Sequence, residues 1–391
     1  MAGLTSGLGH EHSFLDKLRS ISWGLVLLVF IAAACGIAEL YSAADGDMQP
    51  WAATQMVRFG IALVPMIGAA LLGIRHWYRA AYWMYAVALA LVVAVDLRGF
   101  VGMGARRWID LGLIQLQPSS LMNIALVLAL ARYFHARSDE DIARLRYLIP
   151  PALMVLIPAA LVLKQPDLGT AMMLLITGAA LFFIAGVRLR FFALMALGAA
   201  AAAPAGWHFL RDYQKNRIYT FLDPESDPLG AGYHILQSKI ALGSGGFFGR
   251  GFLNGSQSHL SFLPEKQTDF IFTTLAEEFG FIGGLGLLAL YTLMIGYGFV
   301  IALHCRSHFG RLLGLGIVTN FSLYVFINTA MVMGLIPVVG VPLPLISYGG
   351  TAMLAVMFGF GLLLNVGVHH EARLGPKGET EPGANLWEHQ S

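Results

Sequence analysis

SWGLVLLVFIAAACGIAEL, residues 22–40, holds one acidic side chain, Glu39, and no Lys or Arg in an otherwise apolar run. About 20 such residues, wound as a helix, cross the hydrocarbon core of a bilayer. Comparable runs recur at 57–74, 81–97, 119–135, 148–163, 169–187, 191–208, 271–303, 312–336 and 347–368. They are unlike the ~10-residue alternating segments of an outer-membrane barrel. The whole chain shares this character. Of its 391 residues 57% are hydrophobic and 12% charged, against roughly 45–50% and about 25% in soluble domains. So few charges cannot cover a water-facing surface. The sequence predicts an all-α integral membrane protein of about ten transmembrane helices with one large extracytoplasmic loop.

Short-loop charges set the orientation. With the N-terminus inside, every inner segment holds at least two basic residues: Lys17/Arg19, Arg75/Arg79, Arg132/Arg137/Arg144/Arg146, Arg188/Arg190, Arg306/Arg311 and Arg373/Lys377. The reading is a cytoplasmic N-terminal segment (1–20), a single membrane domain (21–370) and a cytoplasmic tail (371–391) expected to be disordered. The large outer loop falls at 208–268. The first apolar run has no small-residue cleavage site after it and reads as a retained helix. Cys35 and Cys305 form neither a disulfide framework nor a metal-ligand spacing. Pro150, Pro151 and Pro158 predict a kinked or tilted fifth span.

Two outer segments carry more positive charge than expected: 98–117, with Arg106 and Arg107, and 208–268, with Arg211, Lys215, Arg217, Lys239, Arg250 and Lys266. Long loops obey the charge rule weakly, and an anionic ligand on this face explains the charge equally well. Acidic residues near membrane depth are functional candidates: Glu39, Asp96, Asp110, Asp167, Asp269, Glu277 and Glu278. Asp269 stands apart because it closes a polar stretch and opens an apolar helix. There it could be a partly desolvated general base or simply a helix cap. GSGGFFGRG at 243–251 lacks the order of a phosphate-binding loop and reads as a flexible turn. The histidines show no ligand spacing.

In order along the chain come GARRWI (104–109), QPS (117–119), QPDLGT (165–170), GSQS (255–258), FLPE (262–265), TDFIF (268–272), EE (277–278), GVPLP (340–344) and SYGG (347–350). On a ten-span scaffold this resembles the SEDS family of bacterial cell-wall proteins (shape, elongation, division and sporulation) over nearly the whole chain. The GSQS stretch is closer to the elongation branch than to the division branch. The resemblance implies a peptidoglycan glycosyltransferase that polymerises lipid II on the periplasmic side of the bacterial inner membrane for cell elongation and rod shape, inverting the donor anomeric carbon. It implies a class B penicillin-binding protein as partner and no nucleic acid. Asp269 matches the essential aspartate of the family's Thr-Asp-Phe motif, which favours the base over the cap. Arg106, Arg107, Arg217 and Lys239 are the expected counter-charges for the leaving diphosphate, and Lys266, Gln257, Glu265, Thr268 and Ser347 the further substrate-binding candidates. A divalent cation (Mg or Mn) could share the task, without a dedicated site in the sequence. A flippase for lipid-linked sugars and a silent scaffold are the alternatives. The family usually reads Pro-Ser-Glu-x-x-Lys where this chain has Pro118-Ser119-Ser120-Leu121-Met122-Asn123. Both members of a pair are thus replaced together, which leaves no lone buried charge.

Overall fold

The computed structural model describes residues 14–98, 100–102, 105–110, 115–209, 212–224, 231–255, 257, 265–375 and 378–379. Most of the expected tail, 380–391, lies outside them. A short helix α1 (Phe14–Arg19) leads into α2 (Trp23–Ala43), α3 (Ala52–Leu71) and α4 (Ile74–Arg98). Then come α5 (Pro118–His135), the short α6 (Asp139–Ile142), α7 (Leu145–Lys164), α8 (Leu168–Ile184) and α9 (Leu189–Phe209). The remainder is α10 (Asp212–Leu222), α11 (Ala231–Gly245), α12 (Ile271–His304), α13 (His308–Val332) and α14 (Gly350–Val368). Each expected span is occupied by a helix, namely α2–α5, α7–α9 and α12–α14. Among the described residues seven helices are long and apolar enough to cross a membrane, with α8 and the start of α9 as shorter apolar ones.

The outside of the bundle is apolar. Val64, Trp83 and Leu97 stand 72%, 75% and 76% exposed, a surface suited to lipid and costly in water. Inside, α5 is buried almost throughout, with Met122, Leu126, Leu130 and Phe134 at its core. Close helix approach depends on small residues, as expected where lipid supplies no hydrophobic drive between helices. At Gly36 of α2 a Cβ would come within 2.6 Å of the Ile346 backbone. At Gly178 of α8 it would meet Val155 of α7 at the same distance. The three prolines are accommodated within α7.

Two segments differ from expectation. Between α4 and α5 the chain forms a small antiparallel sheet, β1 (Phe100–Gly102), β2 (Ala105–Asp110) and β3 (Gln115–Leu116), in the order β1-β2-β3. Residues 208–268, read from sequence as one large loop, include α10 and α11. Ile235, Ser238 and Ala241 fall three apart and bury one face of α11, so the apolar stripe is narrow and interrupted by a serine. The Ser238 hydroxyl donates to Val332 O at 2.8 Å and bonds Thr273 Oγ1 at 2.9 Å.

The stretch 246–251 is a bonded insert in a broken helix, where sequence suggested a flexible turn. Helix α12 loses helical geometry at Gly280 (φ 68°, ψ −162°). The freed carbonyls of Glu277 and Glu278 accept the N–H groups of Arg250 (3.1 Å) and Gly251 (2.9 Å). The amides of Phe281 and Ile282 donate to Gly246 O (2.9 Å) and Phe247 O (3.2 Å). Gly249 and Gly280 have positive φ and back directly onto each other's backbone, which only glycine permits.

Gly249→Ala should therefore lower the thermal stability of the detergent-solubilised protein by well over the roughly 1–2 kcal/mol of a left-handed alanine. Gly246→Ala has positive φ but open space around its Cβ, so it should cost only about 1 kcal/mol. Equal melting temperatures for the two variants would count against the insert.

Candidate functional site

Asp269 ends a run of turns, 265–270, that delivers the chain into α12. The cap position of that helix is Phe270, with no side-chain capping bond, so the Asp269 carboxylate is not spent on capping. It is half-buried. Burial is the main reason its pKa is pushed up to about 6, and the Glu265 carboxylate adds to the effect. The Arg217 and Arg107 guanidiniums pull the other way, and Asp167 pushes weakly upward. Desolvation thus outweighs two cations, which is the balance that brings a carboxylic acid into general-base range.

The loop is held from behind. Asn328 of α13 donates through Nδ2 to Asp269 O (2.9 Å) and to Val341 O (2.7 Å), tying the aspartate backbone to the 340–344 segment. The Ser347 hydroxyl donates to Thr268 O (2.6 Å) and accepts from Leu343 N–H (2.7 Å). Tyr348 N–H donates to Gln267 O (2.8 Å), and Gln55 of α3 donates to Ser347 O (3.0 Å). Gly340 lies directly beside the acid, where a Cβ would come into van der Waals contact with Asp269 Oδ2 at 3.4 Å. Glu265 Oε2 accepts from the Thr268 hydroxyl at 3.0 Å and from Gln267 Nε2 at 3.4 Å.

The other candidates divide. Arg107, on β2, donates through Nη2 to Pro166 O. It thereby joins the strand to the turn where Asp167 caps α8, accepting Thr170 N–H at 3.2 Å and the Thr170 hydroxyl at 2.9 Å. The side chain of Arg106 lies outside the described residues. Arg217, on α10, acts on Asp269 through its charge. Lys239 is exposed on α11 and lies over Gly334. Lys266 is buried, with Nζ 4.0 Å from Asp45 in the α2–α3 connection. Burial lowers its pKa, partly offset by that aspartate. Gln257 is fixed by its backbone N–H, which donates to Glu277 Oε1 at 2.8 Å. Ser347 is a clamp, its hydroxyl both donating and accepting within the protein. Asn328 and Gln55 escaped the sequence reading, although a polar amide inside an apolar span is itself a signal. Arg58, whose guanidinium lies 4.4 Å over the Tyr348 ring, escaped it as well.

Beside these loops an apolar cavity opens between α5, α12, α13 and α14, with Ser120, Asn320, Tyr324 and Ser347 among its few polar walls. Among the described residues no group of three or more His, Cys, Asp or Glu side chains could hold a metal ion. A divalent cation near Asp269 and Glu265 would need substrate phosphate and water to complete its shell.

The FtsW/RodA/SpoVE family, described as cell cycle proteins, matches residues 16–372. Among curated proteins the chain is 41% identical over 371 residues to the peptidoglycan glycosyltransferase MrdB of Escherichia coli, covering 93% of this chain and 97% of that one. It is 35% identical over 353 residues to stage V sporulation protein E of Bacillus subtilis, covering 88% and 95%. Among solved structures it resembles a chain of a peptidoglycan synthase complex that coordinates polymerization and crosslinking. There the TM-score is 0.77 at 34% identity, over 89% of this chain and 97% of that one. The rod shape determining protein RodA of Thermus thermophilus matches with a TM-score of 0.68 at 30% identity, over 90% and 97%.

A carboxyl whose folded pKa exceeds its unfolded value favours folding while protonated, and that advantage is lost as pH rises through the folded value. Ionised Asp269 therefore costs stability above pH 6. Asp269→Asn should raise stability at pH 8 by on the order of 1–2 kcal/mol, allowing for the solvent that reaches the group. The gain should shrink between pH 6 and pH 4, as followed by thermal unfolding at each pH. A gain independent of pH would contradict the raised pKa.

Proposed function

The chain belongs to the FtsW/RodA/SpoVE family of cell cycle proteins and is a peptidoglycan glycosyltransferase, and we propose that Asp269 is the general base with which it polymerises lipid II. The observation that carries this reading is a carboxylate with its pKa pushed up to about 6 at a helix mouth, its backbone clamped and its oxygen beside Gly340. Near neutral pH such a group is mostly ionised yet basic enough to accept a proton.

In the step proposed, Asp269 takes the proton of the acceptor sugar's 4-hydroxyl as that oxygen bonds to the donor's anomeric carbon. The bond from that carbon to the diphosphate breaks on the opposite side, the configuration inverts, and undecaprenyl diphosphate leaves. Arg107 and Arg217, whose charges already act at Asp269, stabilise the negative charge growing on the leaving group. Arg106 and Lys239 serve the same face by motif. Glu265, Thr268 and Gln257 contribute polar contacts to the sugars, whereas Lys266 and Ser347 act through the loop they fasten.

The protein is a multi-pass membrane protein. Its basic inner segments support an inner-membrane location with both termini cytoplasmic and Asp269 on the periplasmic side. The polymerizing and crosslinking complex to which it is similar supports a class B penicillin-binding protein as its partner.

Purified protein with its transpeptidase partner should form glycan strands from lipid II, and Asp269→Ala should slow polymerisation by roughly 100- to 10,000-fold, the range of a lost general base. Wild-type rate should fall about tenfold per pH unit below pH 6, where the base is protonated. An Asp269→Ala protein that still polymerises would sink the assignment. Inactivity of both, with complex formation intact, would return the scaffold reading.

A further inference from the structure

At the end of the bundle opposite Asp269, α5 runs out at His135, while α4 and α7 begin at Ile74 and Leu145. Three arginines there are laid on tyrosine rings. Arg132 lies 4.8 Å over Tyr78 and 4.3 Å over Tyr82, and donates through Nη1 to Arg79 O at 2.9 Å. Arg137 lies 5.1 Å and Arg146 4.7 Å from the centre of one ring, Tyr147. That ring is held because the Tyr133 hydroxyl donates to Tyr147 O at 2.6 Å.

Two guanidiniums therefore share a single tyrosine, within about 10 Å of each other, which is one Debye length at 0.1 M salt. Glu140 and Asp141 lie in the same connection, yet among the described residues neither forms an ion pair with these arginines. The α7 N-terminus beside them has no side-chain cap either, its N-cap being Arg144, so its dipole adds positive potential. Stacking uses the faces of the guanidiniums; one N–H of Arg132 goes to Arg79 O and one of Arg146 to the Tyr147 hydroxyl at 3.2 Å, and the remaining N–H edges are left to bind something else. Below them α7 exposes Leu145, Ile149, Leu153 and Leu156 in one lengthwise strip.

We propose that the rim formed by Arg132, Arg137 and Arg146 binds an anionic phospholipid, its phosphate on the guanidinium edges and its acyl chains along the exposed face of α7. Charge complementarity, a prearranged fork geometry and an adjoining apolar strip together fit a membrane lipid better than a free anion, which would leave the strip without a role. Orientation of the chain needs only positive charge. It gives no reason for planar groups stacked on aromatic rings.

Native mass spectrometry of the full-length protein, titrated in detergent with cardiolipin, phosphatidylglycerol and phosphatidylcholine, tests this. Both anionic lipids should be retained at roughly tenfold lower concentration than phosphatidylcholine, and Arg137→Gln with Arg146→Gln should abolish the preference. Arg137→Lys with Arg146→Lys keeps both charges and any orienting signal but loses the forks, and should bind anionic lipid more weakly than wild type. Equal retention of all three lipids overturns the proposal. So does a preference that survives the Gln variant, or a Lys variant as effective as wild type, since generic charge would then suffice. Displacement of the lipid by millimolar inorganic phosphate would reassign the rim to a free anion and overturn it as well.

Discussion

A bilayer core offers no hydrogen-bond partner, so every amide and carbonyl at membrane depth must be bonded within the protein, at several kcal/mol for each failure. The irregular parts of this fold are shaped by that constraint. The break at Gly280 opens four backbone groups, and residues 246–251 fill all four positions. At the end of α3 a single side chain does similar work: Asn365 Nδ2 donates to Ala69 O (3.0 Å) and Ala70 O (3.1 Å), and also to Leu72 O. Asn328 does it again at the mouth of α12. Each such amide is expensive to bury and is retained where regular helix stops.

The same constraint bears on the catalytic role proposed for Asp269. A loop carrying a carboxylate can sit at a helix mouth only if its backbone is tied down, and the ties come from α3, α13 and the 340–349 segment. Once the loop is fixed, the carboxylate is partly removed from water and cannot relax back into it. Burial then raises its pKa further than Arg107 and Arg217 can lower it. The arginines hold the shift down. In the step proposed, a base near pH 6 would take the acceptor hydroxyl's proton while the neighbouring cations would meet the charge of the departing diphosphate.

Much of this was legible in the sequence, because hydropathy depends on residues close together in the chain. Every apolar run became a helix, and Asp269 stood out where polar sequence meets apolar. What escaped has long-range causes. Helix α11 hides its buried face behind Ser238, which is buried because Thr273 and Val332 lie far along the chain to receive it. The 243–251 glycines looked like flexibility because their partners belong to a helix that breaks at a glycine nearly thirty positions later. Ser347 belongs to a recognisable motif, yet only the fold reveals that its hydroxyl is consumed by Thr268 and Leu343. A motif shows that a position matters without separating touching the substrate from holding the residue that does.

Ser120 and Asn123 illustrate the difference between losing a charge and losing a pair. Asn123 Nδ2 donates to the Tyr324 hydroxyl at 3.2 Å, joining α5 to α13. Ser120 faces Gln117, whose Nε2 donates to Asp167 Oδ2 at 3.2 Å. A polar path therefore still runs from the first turn of α5 to a carboxylate that acts on Asp269. A Glu/Lys pair at these positions would contribute no net charge, and neither do a serine and an asparagine. At the distance of Asp269 the two arrangements differ only by a dipole, which decays faster than the unit charges of Arg107, Arg217 and Glu265. The basicity of Asp269 is thus governed by groups this chain retains. What the substitution does change is the packing of α5 against α13 and the wall of the apolar cavity that Ser120 and Tyr324 share.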